Sequence, residues 1–182
     1  LILFSWQQNS EFPLVLAANR DEFYERPTAR ADWWEDFPNI FGGRDLKAGG
    51  TWMGMNQENR WAAITNYREV EGFMPDAPSR GPLVADYLKH SPDPEAYLQE
   101  IHQRDVEYNG YNLLIGSPEA VWYYSNRENI IKQLEPGLYG LSNELLNSPW
   151  PKVEKGKAYL NERIQEDASD TQALFQFLQD KD

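Results

Sequence analysis

The chain is expected to fold as a layered α+β domain built on mainly antiparallel sheets. Three observations carry that expectation. Short apolar runs are separated by tight turn sequences, two blocks carry apolar residues at helical spacing, and the order is strands, helices, strands, helices. With 182 residues, 41% of them hydrophobic and 14% aromatic, the chain is long enough for a single domain with a sizeable core.

The first runs, Leu1 to Trp6 and Pro13 to Ala18, have strand length. Gln7 to Glu11 joins them, with Asn9 and Ser10 favouring a hairpin turn. Glu22 to Lys47 is rich in Asp, Pro and Trp and is expected to be irregular, with a turn at Gly42-Gly43. Thr51 to Met55 and Trp61 to Asn66 read as a second hairpin around Asn56 to Asn59. Tyr67 to Arg80 is a polar, proline-containing loop. Pro82 suits the first turn of a helix, and Leu83, Val84, Tyr87 and Leu88 follow at helical spacing. Asp93-Pro94 starts a second helix, whose stripe is Tyr97, Leu98 and Ile101. Tyr111 to Ile115 and Ala120 to Tyr124 are strands around a turn at 116–119. Ile130 to Leu134 and Leu138 to Leu141 are expected to pair with each other around Glu135-Pro136-Gly137. Ser148-Pro149 reads as the cap of a helix to about Ile164, and Asp170 as the cap of a last one to about Leu178.

Composition removes several function classes. The net charge of −12 repels a phosphate backbone, so nucleic acid is not an expected partner, and an anionic membrane surface is disfavoured for the same reason. No apolar run approaches the roughly 20 residues of a transmembrane segment. No secretory signal is visible, and a cytoplasmic location is the expectation. Cysteine is absent, and His90 and His102 lack metal-site spacing, so no metal is expected. Gly42-Gly43 and Gly49-Gly50 fit neither phosphate-binding fingerprint. The chain begins inside a strand at Leu1, which leads us to expect further residues before it.

Three strand ends carry asparagine: Asn19-Arg20-Asp21, Thr65-Asn66-Tyr67-Arg68 and Gly140-Leu141-Ser142-Asn143. Asparagine ends strands because it tolerates turn conformations. Brought together, the same groups have chemistry: an amide donates to a developing oxyanion, and an Arg-Asp pair orients a nucleophile. Gly49-Gly50-Thr51-Trp52 reads either as a close-approach loop beside a ligand or as a hairpin bulge. Trp33-Trp34 and Trp61 read as pocket walls or as core.

Six blocks then stand in order: AANRDEFYERPT, GGRDLKAGGTWMGMN, WAAITNYRE, SRGPLVADYL, YNGYNLLIG and YGLSNELLNSPWPKV. In these the chain resembles the NRDE family, that of the transport and Golgi organisation protein 2, from Leu1 to about Lys157. The resemblance implies a four-layer α-β-β-α sandwich similar to N-terminal-nucleophile hydrolases. There the first residue, often Cys, is the nucleophile and its own α-amine the base. It further implies a Met-Cys directly before Leu1 and a late Tyr-Gly-Thr-Arg block after Asp182. Residues 1–182 would then be one family domain, incomplete at both ends.

By the same resemblance, Arg20 and Asp21 would position the amine and thiol. Asn66 would help form the oxyanion hole, and Asn143 would orient the amine or the tetrahedral intermediate. Asn19, Trp52 and Tyr67 are the expected substrate-binding residues. The implied activity is hydrolysis of a non-peptide C–N bond in a small molecule, with no cofactor. The rival is a non-catalytic carrier of haem or another hydrophobic small molecule, with His102 as an axial ligand or simply a solvent-facing helical residue. A scaffold for membrane trafficking is a third reading. Substrate and oligomeric state are not legible.

Overall fold

The computed structural model describes residues 1–20, 25–69 and 71–179. The chain divides into two compact units, one formed by Leu1–Asp21 with Glu135–Asp182 and the other by Glu22–Leu134.

In the first unit a strand β1 (Ile2–Trp6) runs antiparallel to β2 (Leu14–Ala18) on one side and to a late strand, Gly137–Leu141, on the other. All five residues of β1 are buried, as a central strand requires. Its alternate residues face opposite ways. Leu3 joins Val15, Leu160 and Ile164 in a core that also takes Leu138, Leu174 and Phe177. Phe4 projects from the other face and stacks on Tyr139 at 5.0 Å between ring centres. The helix Pro151–Asp167 lies on the Leu3 side, and Gly156 permits the approach: a Cβ there would stand 2.6 Å from Leu3 Cδ1.

Ser148 does not cap that helix. Its first turn begins at Pro151 behind Trp150, no side chain caps it, and the Ser148 hydroxyl donates to the Leu145 carbonyl at 2.9 Å. The final helix, Thr171–Gln179, is capped as expected, with Asp170 Oδ1 accepting from the Ala173 N–H at 3.0 Å.

The second unit is a seven-stranded antiparallel sheet in sequence order. Its strands are β3 (Thr28–Trp33), β4 (Ile40–Asp45), β5 (Met53–Asn56), β6 (Trp61–Asn66), β7 (Tyr111–Gly116), β8 (Val121–Ser125) and β9 (Ile130–Leu134). Between β6 and β7 come α1 (Gly81–His90) and α2 (Pro94–Gln103), close to their expected starts. The late strand of the first unit is therefore β10, and the helices after it are α3 (Pro151–Asp167) and α4 (Thr171–Gln179). Ile40, Ile64, Leu113 and Ile115 on one face of the large sheet pack with Leu83, Val84, Leu88, Leu98 and Ile101 of the helices.

Two expectations are corrected here. Glu22 to Lys47 was expected to be irregular, but its described part, residues 25–47, contains β3 and β4. β3 is an edge strand exposed at every residue, so it carries no apolar alternation to betray it. Gly42 lies inside β4 opposite Gly54, where a Cβ would stand 2.9 Å from the Met53 carbonyl oxygen; the glycine serves strand contact, not a turn. The second correction concerns β9 and β10, which do not pair. β9 completes the large sheet beside β8, and β10 takes the open edge of β1.

Candidate functional site

The strand ends place the candidate residues in two groups, one in each unit. In the first, the register Ile2↔Ala18 and Ile2↔Leu141 brings the ends of β2 and β10 to either side of the N-terminal end of β1. Pairing with β2 continues one residue further. The Asn19 N–H donates to the Leu1 carbonyl at 3.0 Å, and the Leu1 amine donates to the Asn19 carbonyl at 3.4 Å. Arg20 and Asn143 each stand one position beyond the residues flanking Leu1, and both are half-buried.

Asn143 follows the end of β10 in a loop that is itself held. Asn147, in the left-handed region at φ 61°, donates its N–H to the Gly140 carbonyl at 2.8 Å. Its Oδ1 accepts from the Gly140 N–H at 3.0 Å. The buried Ser142 donates its hydroxyl to Asn143 Oδ1 at 3.4 Å. Asn19, Arg20 and Asn143 thus lie just past the strand ends of one small sheet, as Leu1 does, while Asp21 lies outside the described residues.

Asn66, Tyr67 and Trp52 belong to the second unit. Asn66 is exposed, ends β6 and pairs with Tyr111 of β7. Thr65 points to the opposite face, where its Oγ1 accepts from Asn112 Nδ2 at 3.3 Å, and Asn112 Oδ1 accepts from the Tyr123 hydroxyl at 2.8 Å. Asn112 is fully buried, so those bonds offset the cost of removing its amide from water.

The loop after Asn66 is pinned at its base. The Tyr67 N–H donates to the Gly110 carbonyl at 2.9 Å, and Arg80 Nη1 donates to the same oxygen at 2.8 Å. Glu69 accepts from the Gly110 N–H at 3.1 Å and pairs with Arg127. The Arg127 guanidinium holds the Glu69 carboxyl below its ordinary value of 4.5. Asn109 donates to the Met74 carbonyl and accepts from its N–H, both at 2.8 Å. Sequence reading missed Asn109, Asn112 and Asn147 as positioning residues. Their signal lay in the blocks YNGYN and LSNELLN, where asparagines recur beside the candidates.

Trp52 is half-buried against the helix-side core, and its carbonyl accepts from the Ile64 N–H at 2.8 Å. The close approach at Gly50 is to the start of α1: a Cβ there would meet the Gly81 carbonyl carbon at 2.5 Å. Trp34 and Trp61 are buried, whereas Trp33 is 49% exposed and set edge-on to Phe41. His102 is exposed on α2, as a solvent-facing helical residue would be. Among the described residues no group of three His, Asp or Glu could hold a metal ion, and no helix is long and apolar enough to cross a membrane.

The family model for Transport and Golgi organisation 2 matches residues 1–182. Over 166 residues the chain is 40% identical to a Transport and Golgi organization 2 homolog of Mus musculus, covering 85% of this chain and 59% of that protein. The Homo sapiens homolog is 39% identical over 165 residues, with the same coverage. The Drosophila melanogaster protein is 31% identical over 165 residues, covering 82% and 58%. The chain therefore spans 59% or less of the length of these relatives. Among solved structures, the Caenorhabditis elegans N-acylethanolamine-hydrolyzing acid amidase ortholog superposes with a TM-score of 0.58 at 10% identity, over 99% of this chain and 86% of that one. That likeness shows a shared fold. The chain belongs to the Transport and Golgi organisation 2 family and has the fold of N-terminal-nucleophile hydrolases.

Proposed function

We propose that this chain carries an N-terminal-nucleophile amidohydrolase site for a non-peptide C–N bond, with a Cys bonded directly before Leu1 as the nucleophile. One observation carries the reading. If the pairing of β1 with β2 and β10 extends by one residue, that residue lies between Arg20 and Asn143. The shared fold with an acid amidase supports the reaction class.

In this reading the sulfur attacks the substrate carbonyl while the α-amine of the same residue takes the thiol proton. Arg20 and Asp21 position the amine and thiol, and the guanidinium charge favours the thiolate. The Asn143 amide orients the α-amine or the tetrahedral intermediate. The α-amine returns its proton to the leaving nitrogen as the C–N bond breaks, and water then hydrolyses the thioester.

The test is expression from the complete gene, followed by intact mass and N-terminal sequencing. An unblocked Cys before Leu1 is expected, together with turnover of a small-molecule N-acyl amide that Asp21→Asn abolishes without unfolding the protein. A retained Met or a blocked first residue removes the mechanism. A non-catalytic carrier of haem or another hydrophobic molecule would instead bind ligand saturably after loss of the nucleophile. With haem, that reading requires a Soret shift that His102→Ala eliminates.

A further inference from the structure

Asn143 is followed by Glu144, and Glu144 Oε2 accepts from the indole N–H of Trp150. Trp150 is half-buried and stands between Pro149 and Pro151. A residue before proline is driven into extended backbone, and Trp150 lies there at φ −76°, ψ 140°. It precedes the first turn of α3, where no side chain caps the helix, and its carbonyl accepts from the Val153 and Glu154 N–H groups at 2.8 and 3.0 Å. The backbone of Trp150 therefore belongs to the start of α3, while its side chain reaches back six residues to the neighbour of Asn143.

We propose that Trp150 is a positioning residue for Asn143, acting through Glu144; its catalytic meaning rests on the amidohydrolase reading above. The helix that carries Trp150 bears directly on the strands of the small sheet. A Cβ on Gly140 of β10 would stand 2.6 Å from Val153 Cγ1, and one on Gly156 would stand 2.6 Å from Leu3 Cδ1 of β1. Val153 is 1% exposed and Leu3 2%, so neither contact can slide without opening the core. A group tied to the start of α3 is thus held in the same frame as Leu1.

The tie is a strong one. A carboxylate acceptor makes the indole bond charge-assisted, and the Lys152 ammonium, 5.2 Å from the centre of the Trp150 ring, adds a cation–π contact. Its task differs from that of Asn147, which closes the loop onto β10 at Gly140. Asn143 can orient an amine or a tetrahedral intermediate only while its amide keeps one direction, because rotation exchanges its donor and acceptor ends.

The test follows the side-chain amide signals of Asn143 in isotope-labelled protein expressed from the complete gene, assigned with Asn143→Asp. Trp150→Phe keeps a ring and deletes the donor, Glu144→Ala deletes the acceptor, and Glu144→Gln keeps an acceptor oxygen. The first two should move the Asn143 amide signals towards those of a free asparagine and lower its order, while Glu144→Gln should keep them near wild type. On the same proteins, iodoacetamide alkylation of the first residue across pH reads the amine–thiol arrangement. Trp150→Phe and Glu144→Ala should slow it at least about three-fold at neutral pH and shift the profile upward, and Glu144→Gln should restore it. Unchanged Asn143 signals in Trp150→Phe overturn the proposal, as does a Glu144→Gln that behaves like Glu144→Ala. Unchanged alkylation beside shifted Asn143 signals overturns it too, since Trp150 would then only support the loop. A first residue other than a free Cys ends the amidohydrolase reading instead, and the Asn143 signals then decide the fastening by themselves.

Discussion

Gly50→Ala is expected to be among the most damaging single-methyl additions in the second unit. The added Cβ would lie 2.5 Å from the Gly81 carbonyl carbon and 2.8 Å from both the Gly81 oxygen and the Pro82 nitrogen. Ordinary contact begins near 3.4 Å, so the closest approach is short by about 0.9 Å. All three obstacles are backbone, and no rotamer change relieves them. Either the Gly50 segment moves, stretching the 2.9 Å bond from the Asp45 N–H to the Gly50 carbonyl, or the start of α1 moves. The second course loosens Leu83 and Val84, which are 1% and 0% exposed. Overpacking of this kind costs about 1–3 kcal/mol, and the rigidity of both sides puts Gly50→Ala near ~3 kcal/mol.

Gly49→Ala provides the control. Nothing lies within 4 Å of its added Cβ, but its φ of +73° is left-handed. That strain costs about 1–2 kcal/mol, partly offset by the ~0.4–1 kcal/mol gained from a stiffer unfolded chain, leaving a net cost near ~1 kcal/mol. Urea unfolding followed by fluorescence of the seven Trp residues measures both. Equal midpoints for the two variants, or a Gly50→Ala cost below about 1 kcal/mol, would refute the steric argument.

Three further changes probe other parts of the structure by the same assay. Leu98→Ala removes a fully buried side chain from the helix–sheet core and should cost about 2–5 kcal/mol. Asn109→Ala deletes both bonds to the Met74 backbone. It should cost about 2–3 kcal/mol and speed hydrogen exchange at the Met74 amide; unchanged exchange there would show that Asn109 does not hold the loop. Glu69→Gln tests the pair with Arg127. Because the folded carboxyl is depressed below 4.5, its stabilisation is fully present above the ordinary carboxylate range and is lost as pH falls through the lowered folded value. The variant should therefore cost about 1 kcal/mol at neutral pH and progressively less in acid, while a pH-independent difference would contradict the pairing.

The two groups of candidate residues, one in each unit, were only partly legible in the sequence. The candidates Asn19, Arg20, Asn66 and Asn143 stand out because polar residues interrupt apolar runs at strand ends. The groups that fasten the strand and loop around Asn66 do not. Asn109 reaches Met74, 35 residues away, and Asn112 reaches Thr65, 47 residues away. Nothing in local spacing marks either asparagine as a fastener, since the partner is chosen by the fold.

The sequence by itself determined the elements whose burial repeats along the chain. Leu83, Val84, Tyr87 and Leu88 define α1, Tyr97, Leu98 and Ile101 define α2, and short, mostly apolar runs define β1 and β7. It also carried the NRDE blocks and the strong negative charge. Tertiary structure alone decided the edge strand β3, which is exposed at all six residues, and the role of Gly42 inside β4. It also decided the parting of β9 from β10. Glu135-Pro136-Gly137 is chemically suited to a hairpin, yet pairing Gly137–Leu141 with β1 gives that buried strand its second neighbour. Periodicity reports how one segment meets a core. Which strands share hydrogen bonds depends on backbone donors and acceptors distant in sequence, and those are satisfied only when the whole sheet is assembled.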